Sequence, residues 1–341
     1  MKQKTILITG GIGYIGSHAV VAFEQAGYKT VIVDNLDNSC LSTYKNIGNI
    51  LGYKPDFYEI DLRDKDKLED VFKKYKFDGV LHFAGLKAVG ESCEKPLHYF
   101  DNNIVGSLRL FELMQDYGVK NIIFSSSATV YDGIIYENET FSGALETDQT
   151  GNTSNPYGTT KFLLETILTD LSKFSGFNVI NLRYFNPVGA HNSGLIGENP
   201  DGIPNNLLPF IMKVATGELP YLNVYGDDYE TIDGSGVRDY IDVVDLIDGH
   251  LKAYDLLENL DFSGFIDTFN LGVGKGISVF EMIEASRKAT GKDITFKIAP
   301  RRAGDLASVY CNPSKAKHIL DWTAKTSLED SLKNSWKFYN S

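Results

Sequence analysis

The sequence predicts an α/β protein in which a doubly wound parallel sheet is followed by a smaller C-terminal α/β lobe. Two patterns lead to this prediction. In the first half of the chain, short apolar segments alternate with segments of helical periodicity, and repeated βα units build a parallel sheet covered by helices. After Pro187 the alternation loosens without a change in composition. We therefore assign residues 1–186 to the sheet domain and 187–341 to the lobe, with chain crossings between them allowed.

The first βα unit contains a glycine-rich loop. Thr5–Thr9 and Thr30–Asp34 have the composition of buried strands, and a helical pattern lies between them. The loop that opens this helix contains Gly10, Gly13 and Gly16. Glycines there permit a tight turn and close approach of a pyrophosphate, whose charge the helix N-terminus stabilises. The order strand, glycine loop, helix, strand and acid predicts a Rossmann-type dinucleotide site.

Further strands are expected at residues 56–60, 79–83 and 121–124, with helices at 64–75 and 96–117. Ligands of such sheets gather at the carboxyl ends of the strands, where Asp34, Asp61, Phe83 and Ser125 fall. A carboxylate at Asp34 would accept hydrogen bonds from ribose hydroxyls and repel a 2′-phosphate, which favours NAD over NADP. We interpret His82 as a core histidine with satisfied hydrogen bonds.

A second group of reactive residues follows the strand at 121–124. Three consecutive serines, Ser125 to Ser127, should face the crevice at the strand ends. Asn155-Pro156 opens a helix on which Tyr157 and Lys161 lie one turn apart, so that an ammonium near a phenol would favour the phenolate. With 19 tyrosines, about one such spacing is expected by chance, so the pair acquires meaning only from the cofactor loop and the serines. The serines argue against a hydrolase triad, because no histidine or acid accompanies them.

Bulk composition narrows the class of protein. The 341 residues carry a net charge of -12, which argues against a nucleic-acid-binding protein. Three scattered cysteines form neither a metal-binding spacing nor a disulfide framework, and no apolar run has the length of a membrane helix. The chain runs from its first residues into a strand without an apolar leader. We expect a cytoplasmic protein without metal, membrane or nucleic-acid partners.

Longer motifs give a specific resemblance that extends over essentially the whole chain. They are Gly10–Ser17, Phe83–Ser92, Ser125–Tyr131, Pro156–Gly158, Leu182–Ala190, Gly202–Leu207, Gly236–Ile241, Ala299–Arg302 and Gly304–Leu306. The run Ala-Gly-Leu-Lys-Ala-Val-Gly-Glu-Ser is far more specific than a glycine loop. Together these motifs resemble the UDP-glucose 4-epimerase (UDP-galactose 4-epimerase) family of the extended short-chain dehydrogenase/reductase superfamily.

The resemblance implies an activity and a set of residues. UDP-glucose and UDP-galactose would be interconverted by transient oxidation at carbon 4, rotation of the keto sugar and return of the hydride from tightly held NAD. Tyr157 would be the acid/base, Lys161 its electrostatic and ribose-binding partner, and Ser127 a hydrogen-bond partner of the reacting hydroxyl. The implied cofactor-binding residues, beyond Tyr157 and Lys161, are Gly10, Gly13, Tyr14, Ile15, Gly16, Asp34, Asn35, Asn38, Ser39, Asp61, Leu62, Phe83, Ala84, Gly85, Lys87, Asn102, Tyr184 and Phe185.

The resemblance also places the UDP-sugar. Guanidinium forks match phosphate oxygens, and a carboxylate accepts ribose hydroxyls, which suits Arg238, Arg302 and Asp305. Any single arginine is more often a solvated surface charge, and Arg301 is interpreted in that way. The implied substrate-binding residues are Lys87, Ser127, Tyr157, Phe185, Asn186, Asn206, Leu207, Asn223, Val224, Tyr225, Arg238, Arg302, Asp305 and Val309.

Four features depart from the family pattern. Asp132 replaces a usual glycine, and the segment 132–154 is long, which leaves the loop near the sugar open. Asp242 replaces a frequent histidine, from which we expect little consequence. Val309 stands where members restricted to plain hexoses tend to carry tyrosine, so we predict activity on UDP-GlcNAc and UDP-GalNAc as well.

Other readings remain open at this point. A nucleotide-sugar 4,6-dehydratase would share the fold, NAD and the tyrosine–lysine pair, but needs an acid that Ser127-Ala128-Thr129 lacks. A non-catalytic NAD-binding regulator, or a dehydrogenase that releases NADH, is also compatible with the fold. The helices 96–117 and 157–174 resemble those that pair in family dimers, although their apolar residues could be buried within one chain.

Overall fold

The computed structural model describes residues 3–131, 143–200, 202, 204–302 and 305–340. Its internal contacts divide the chain into two compact units. The first unit contains residues 1–132, 149–183 and 247–269, and the second contains residues 133–148, 184–246 and 270–341. The chain therefore passes between the units several times.

The strands of the described residues are β1 (Thr5–Thr9), β2 (Lys29–Asp34), β3 (Asp56–Glu59), β4 (Gly79–His82), β5 (Asn121–Ser127), β6 (Asn178–Tyr184), β7 (Asn186–Val188), β8 (Leu222–Tyr225), β9 (Val237–Asp242), β10 (Ile266–Leu271), β11 (Gly276–Ser278), β12 (Phe296–Ala299) and β13 (Ser308–Val309). The α-helices are α1 (Tyr14–Gln25), α2 (Leu41–Leu51), α3 (Lys65–Lys74), α4 (Val89–Glu94), α5 (Pro96–Phe100), α6 (Gly106–Asp116), α7 (Pro156–Ser175), α8 (Leu207–Ala215), α9 (Val243–Glu258), α10 (Val279–Thr290), α11 (Ser314–Leu320) and α12 (Leu328–Tyr339).

A seven-stranded sheet forms the centre of the first unit. Its strand order is β10-β6-β5-β4-β1-β2-β3, and the pairs β1–β2, β1–β4, β2–β3 and β4–β5 are parallel. The order 3-2-1-4-5-6 is that of the doubly wound dinucleotide-binding fold. Residues from the inner strands and from α3, α6 and α7 pack into one apolar core. The predicted Rossmann-type fold is confirmed.

Three details of the first unit differ from the sequence prediction. Helix α2 was not predicted, because its apolar face is thin and buries only Ile47. The helix expected at 96–117 is divided by a π-helical turn at Asp101–Val105 between α5 and α6. Strand β5 continues through the serines, so Ser125 to Ser127 belong to the strand and not to a following loop.

The second unit contains smaller sheets. Strand β9 pairs with β11 antiparallel and with β13 and β7 in parallel, and β12 pairs with β8 in parallel. Residues of α8, α10, α12 and β8 form its apolar core. None of the helices within the described ranges is long and apolar enough to cross a membrane. Those ranges also contain no cluster of His, Cys, Asp or Glu that could hold a metal ion.

Candidate active site

Helix α7 positions the tyrosine and the lysine. Asn155 caps it, because its Oδ1 accepts the Gly158 amide at 2.9 Å, and Pro156 occupies the first turn, where no backbone donor is needed. The helix therefore begins immediately before Tyr157. Lys161 follows one turn later on the same face, as predicted from the spacing.

The lysine lies in a buried position behind the tyrosine. Its Nζ donates to the Ser125 carbonyl at 2.5 Å, and lies 4.8 Å from the Phe124 ring centroid and 5.9 Å from the Tyr157 ring centroid. Burial lowers the pKa of Lys161 to about 7, while the charge of Glu165 acts in the opposite direction. Lys161 is thus close to the phenol but hydrogen-bonded to the strand.

Ser127 and Tyr157 meet at the end of β5. Burial raises the pKa of the Tyr157 phenol, and a hydrogen bond with Ser127 lowers it by less. Ser127 Oγ also accepts the amide and the hydroxyl of Thr129, at 3.2 and 3.0 Å, which orients it. In the protein without cofactor, burial outweighs the other effects on the Tyr157 phenol, so the expected preference for the phenolate stays a prediction for the site with NAD bound.

The glycine loop is packed too tightly for side chains. A Cβ on Gly16 would lie 2.1 Å from the Gly10 carbonyl oxygen, and a Cβ on Gly10, which has φ +69°, would lie 2.7 Å from the Ala84 amide nitrogen. This contact brings the loop after β1 against the Ala84-Gly85 segment after β4. No side chain caps α1, so its first turn presents backbone donors without a competing acceptor from a side chain.

The carboxylate at the end of β2 is held by its neighbours. Asp34 Oδ2 accepts the Ile12 amide at 3.1 Å, and Oδ1 accepts the Leu36 amide at 3.0 Å and the Ser39 hydroxyl at 2.8 Å. Asp34 thereby connects the glycine loop to the segment after β2, which also carries the exposed Asn35 and Asn38.

Asp61, at the end of β3, has a partner that the sequence interpretation missed. The Arg63 guanidinium binds it with Nε at 2.9 Å and Nη2 at 2.6 Å, and the Arg63 side chain holds the pKa of Asp61 at about 2. Asn35 donates to the same carboxylate at 3.2 Å. Leu62 packs against the apolar core.

The remaining expected residues of the first unit lie after β4, in the π-helical turn and in the first turn of α1. Phe83 packs against His250 with ring centroids 5.1 Å apart, and Lys87 Nζ lies 5.8 Å from the Tyr14 ring centroid. Asn102 is partly buried and donates to Asn103 Oδ1 at 2.9 Å. Ile15 lies in the first turn of α1.

His82 is a satisfied core histidine, as predicted. Its ring nitrogens lie 2.7 Å from Thr9 Oγ1 and 2.8 Å from Ser107 Oγ, and burial lowers its pKa to about 3. The adjacent Asn103, which the sequence interpretation passed over, donates to Leu86 O at 3.0 Å and Thr160 Oγ1 at 3.1 Å. It fixes the loop after β4 to α7.

The second unit gathers a cationic cluster around Asp305. Arg238 Nη2 lies 3.4 Å from Asp305 Oδ1, and Arg302 Nε donates to Oδ2 at 2.8 Å. The Arg302 guanidinium carbon also lies 5.0 Å from the Tyr225 ring centroid. Two guanidinium groups, a carboxylate and an aromatic ring are the chemistry expected for a nucleoside diphosphate. Val309 of β13 is in register with Arg238 of β9.

The chain is similar to known proteins over almost its whole length. A family model described as GDP-mannose 4,6 dehydratase matches residues 7–335. The UDP-glucose 4-epimerase of Yersinia enterocolitica is 51% identical over 335 residues, which cover 98% of this chain and 97% of that protein. The chain belongs to the UDP-glucose 4-epimerase family.

Two solved structures of this family are similar over almost the whole chain. The UDP-glucose-4-epimerase of Stenotrophomonas maltophila, with bound NAD and formylated UDP-arabinopyranose, has a TM-score of 0.93 at 46% identity, and the match covers 99% of this chain and 98% of that one. The enzyme of Bifidobacterium longum, in complex with NAD+ and UDP, has a TM-score of 0.91 at 45% identity with the same coverage.

Several residues that the epimerase resemblance implied are less open to a ligand than the sequence suggested. Val224 is 1% exposed and belongs to the apolar core of the second unit. Tyr184 and Phe185 are buried, and Asn186 is partly buried on β7. Asn206 donates to Glu198 Oε1 at 2.7 Å before Leu207 begins α8, and Asn223 lies partly buried on β8.

Arg301 is an exposed surface charge, as interpreted from the sequence, and it pairs with an exposed carboxylate. Its Nε donates to Asp228 Oδ1 at 2.7 Å, and its guanidinium carbon lies 4.1 Å from the Tyr229 ring centroid. This arginine holds the segment after β8. The departures at Asp132 and over residues 132–142 lie outside the described residues.

Proposed function

We propose that the protein is an isomerase, an NAD-dependent 4-epimerase that interconverts UDP-glucose and UDP-galactose. The observation that carries the proposal is the meeting of Ser127 and Tyr157 at the end of β5, with Lys161 one turn behind. The glycine loop belongs to the same unit. Membership of the epimerase family supports the assignment.

The residues present fit NAD. Gly10 and Gly16 leave no room for side chains, which keeps the backbone accessible to a pyrophosphate, and the uncapped first turn of α1 offers donors. Asp34 carries a carboxylate at the end of β2, where ribose hydroxyls would bind and a 2′-phosphate would be repelled. Asn35, Asn38, Ser39, Asp61, Phe83, Lys87 and Asn102 complete the proposed cofactor-binding set of the first unit.

When bound, NAD supplies the hydride acceptor and donor for carbon 4 and, in its oxidised form, a positive charge. The chain handles the proton. Ser127, oriented by Thr129, would hold the reacting hydroxyl, and Tyr157 would take its proton and return it. Burial raises the pKa of Tyr157, so the phenol needs nearby positive charge to act as a base, and Lys161 contributes part of it.

The second unit would hold the nucleotide. Arg238 and Arg302 would bind the diphosphate and Asp305 the ribose, while Tyr225 and Asn223 would line the uracil. We propose that residues 1–186 chiefly serve NAD and that 187–341 chiefly serve the UDP-sugar. A site that binds UDP firmly and the sugar loosely would let the keto sugar rotate between its oxidation and its reduction.

We also propose a cytoplasmic homodimer. Cys40, Cys93 and Cys311, which all belong to the described residues, form no disulfide, and this suits a reducing compartment. On α7 the exposed Leu163 and Phe174 are spaced by three helical turns and therefore lie on one face of the helix. A second copy of the chain would cover this face.

Val309 supports a wider substrate range. Because Val309 is in register with Arg238 in neighbouring parallel strands, both side chains lie on one face of the sheet. A small side chain there leaves space beside a bound sugar nucleotide for an acetamido group. We expect turnover of UDP-GlcNAc, and we expect Val309→Tyr to abolish it while UDP-galactose turnover stays within about threefold, since the tyrosine adds only bulk. No turnover of UDP-GlcNAc by the wild type ends this proposal.

The family model's description raises a 4,6-dehydratase as the second candidate. Such an enzyme needs a pair of carboxyl groups beside residues Ser125–Tyr131 (the serine segment), one to take the carbon-5 proton as a base and one to help expel water as an acid, but Ala128 and Thr129 carry none. The carboxylate that does contact the serines, Glu165, is bonded to Ser126 and Arg183. Product mass separates the two reactions, because dehydration removes a water and epimerisation removes nothing.

The direct test is to incubate the purified protein with UDP-galactose without added NAD. We expect UDP-glucose to form, because the cofactor is regenerated in each cycle and should remain bound through purification. Product formation only on addition of NAD, with release of NADH, would instead indicate a dehydrogenase. Bound NAD without any turnover would indicate a regulator.

A further inference from the structure

A buried carboxylate lies one helical turn beyond Lys161. Glu165 on α7 is 7% exposed, and its Oε1 accepts the Ser126 hydroxyl at 2.5 Å and Arg183 Nε at 3.0 Å. Its Oε2 accepts Arg183 Nη2 at 2.7 Å. Arg183 is 5% exposed on β6, so both members of this ion pair are removed from water. A buried pair of this kind is not required for stability, because apolar residues can often replace it.

The pair connects three elements around the serine segment. The Arg183 guanidinium carbon lies 4.8 Å from the ring centroid of Tyr131, the residue that ends the segment. Glu165 contacts Ser126 within β5. Helix α7, strand β6 and both ends of the serine segment are thereby bound to one another.

Two consecutive serines are hydrogen-bonded to side chains on the same face of α7. Lys161 Nζ donates to Ser125 O, and Glu165 accepts from Ser126 Oγ. The next residue of the strand is Ser127, and the preceding turn of the helix carries Tyr157. The two links therefore set the position of the phenol relative to Ser127.

The same carboxylate sets the charge around Lys161. On α7 the lysine is flanked by Tyr157 and Glu165, from β5 it meets Ser125 O and the Phe124 ring, and from β4 it faces the neutral His82. Burial lowers the pKa of Lys161 to about 7, and Glu165 opposes this by stabilising the ammonium. Arg183 in turn neutralises part of the charge of Glu165.

We propose that Glu165, held by Arg183, is a positioning residue that fixes α7 against the serine end of β5 and supplies negative charge that stabilises the ammonium form of Lys161 beside Tyr157. The inference rests on the proposed function for what Lys161 and Tyr157 do in the reaction. The contacts of Glu165 do not depend on the substrate.

The first test needs no activity. Between pH about 7 and ~10.4 the unfolded chain binds a proton that folded Lys161 has lost, so stability should rise with pH in this window. Subtracting the urea-unfolding free energy of Lys161→Met from that of the wild type isolates this rise. When the same subtraction is made in the Glu165→Gln background, we expect the rise to begin about one pH unit lower. This shift corresponds to a tenfold weaker proton affinity of Lys161. An unchanged onset overturns the proposal.

Two further variants test the direction in which the charge of Glu165 moves the pH onset of this rise in stability. Arg183→Gln should move the onset to higher pH, because the charge of Glu165 is then no longer neutralised; a shift to lower pH overturns the proposal. Asp170→Asn removes an exposed carboxylate from the same helix and should leave the onset unchanged. If Glu165→Gln does not fold, the Glu165→Gln/Arg183→Gln double variant takes its place, because it buries no unpaired charge. Its onset must still lie at lower pH than that of the wild type.

The second test uses the proposed activity. At pH 8 we expect Glu165→Gln to lower kcat at least about tenfold with KM within about threefold, and to move the alkaline limb of the kcat profile to lower pH. Ser126→Ala should lower kcat without moving that limb, because the ion pair remains. An unchanged kcat in both variants overturns the positioning role. A wild type without epimerase activity removes the proposed function, and the unfolding experiment still decides the role of Glu165.

Discussion

At the scale of single residues, the proposed chemistry depends on side chains whose protonation states are set by their surroundings. Tyr157 and Lys161 have the expected spacing, yet burial raises the pKa of the phenol and lowers that of the ammonium. In a low-dielectric site each group favours its neutral form unless a partner compensates. The reactive state of Tyr157 is therefore a property of the site with its ligands bound.

Tyr157→Phe tests the assignment of the acid/base. The change removes the phenolic oxygen and leaves the ring, so we expect kcat for UDP-galactose to fall about 10²–10⁴-fold while NAD content and unfolding temperature stay near those of the wild type. Product formation measured over time gives the rate. Tyr117→Phe, at an exposed tyrosine after α6, is the matched control. Sugars that interconvert at the original speed in Tyr157→Phe would remove this residue from the mechanism.

Asp242, whose replacement of a frequent histidine we expected to have little consequence, carries a stability effect. It is 3% exposed, accepts the Ser331 hydroxyl at 2.6 Å and the Val244 amide at 2.8 Å, and burial raises its pKa to about 6. An unfolded aspartate titrates near ~3.9, so the folded protein binds the proton more tightly. Stability is therefore lost as pH rises from about 4 to about 6, and the loss persists at higher pH.

Asp242→Asn should recover this loss. The amide keeps an acceptor for Val244 and removes the charge, so we expect the free energy of unfolding to rise by ~1–3 kcal/mol at pH 7.5 and by much less at pH 4.5. Urea unfolding at the two pH values measures the difference. Asp170→Asn, at an exposed position, should change neither value. Destabilisation at pH 7.5 would contradict the argument.

At the scale of elements, two kinds of local sequence signal were sufficient to predict individual strands and helices. The glycine loop and the α7 cap are short-range features, so strand β1, helix α1 and the start of α7 follow from the sequence. Signals failed where the local pattern was weak or interrupted. The π-helical turn at Asp101–Val105 adds a residue to one turn of an otherwise helical pattern, and periodicity cannot distinguish this from a continuous helix.

Gly16→Ala tests the packing of the glycine loop. The new methyl group would lie 2.1 Å from the Gly10 carbonyl oxygen, which belongs to rigid backbone, so the loop must shift. We expect the unfolding temperature to fall by about 5–10 °C and the amount of copurified NAD per chain to fall at least about fivefold. Gly90→Ala, on a helix with open space around the position, is the control. Full NAD content in Gly16→Ala would show that this loop does not hold the cofactor.

At the scale of the whole molecule, the charge and the surface determine which partners are possible. The net charge of -12 disfavours nucleic acid and suits solubility. The surface also carries exposed apolar side chains. Phe174 on α7 is 73% exposed, and Leu97 on the neighbouring α5 is 81% exposed. Exposed apolar side chains on adjacent helices are typical of an interface.

Light scattering after gel filtration tests the proposed dimer. We expect a mass of two chains for the wild type and of one chain for the Leu163→Glu/Phe174→Glu variant, because two carboxylates would be buried without partners at the interface. Leu41→Glu places the same charge on an equally accessible leucine of α2 and should leave the mass unchanged. A monomeric wild type at micromolar concentration would contradict the proposal.

The sequence by itself determined the fold class, the glycine loop, the tyrosine–lysine spacing and the family, because each is written in residues close together along the chain or in motifs whose order is preserved. Only the tertiary structure decided how these groups are charged and held. Arg63 on Asp101, Arg183 on Glu165 and Asn103 on the loop after β4 are contacts between elements that are separate in the sequence. Desolvation depends on what surrounds a group in three dimensions, and for that reason the pKa of Tyr157 could not be obtained from its neighbours in sequence.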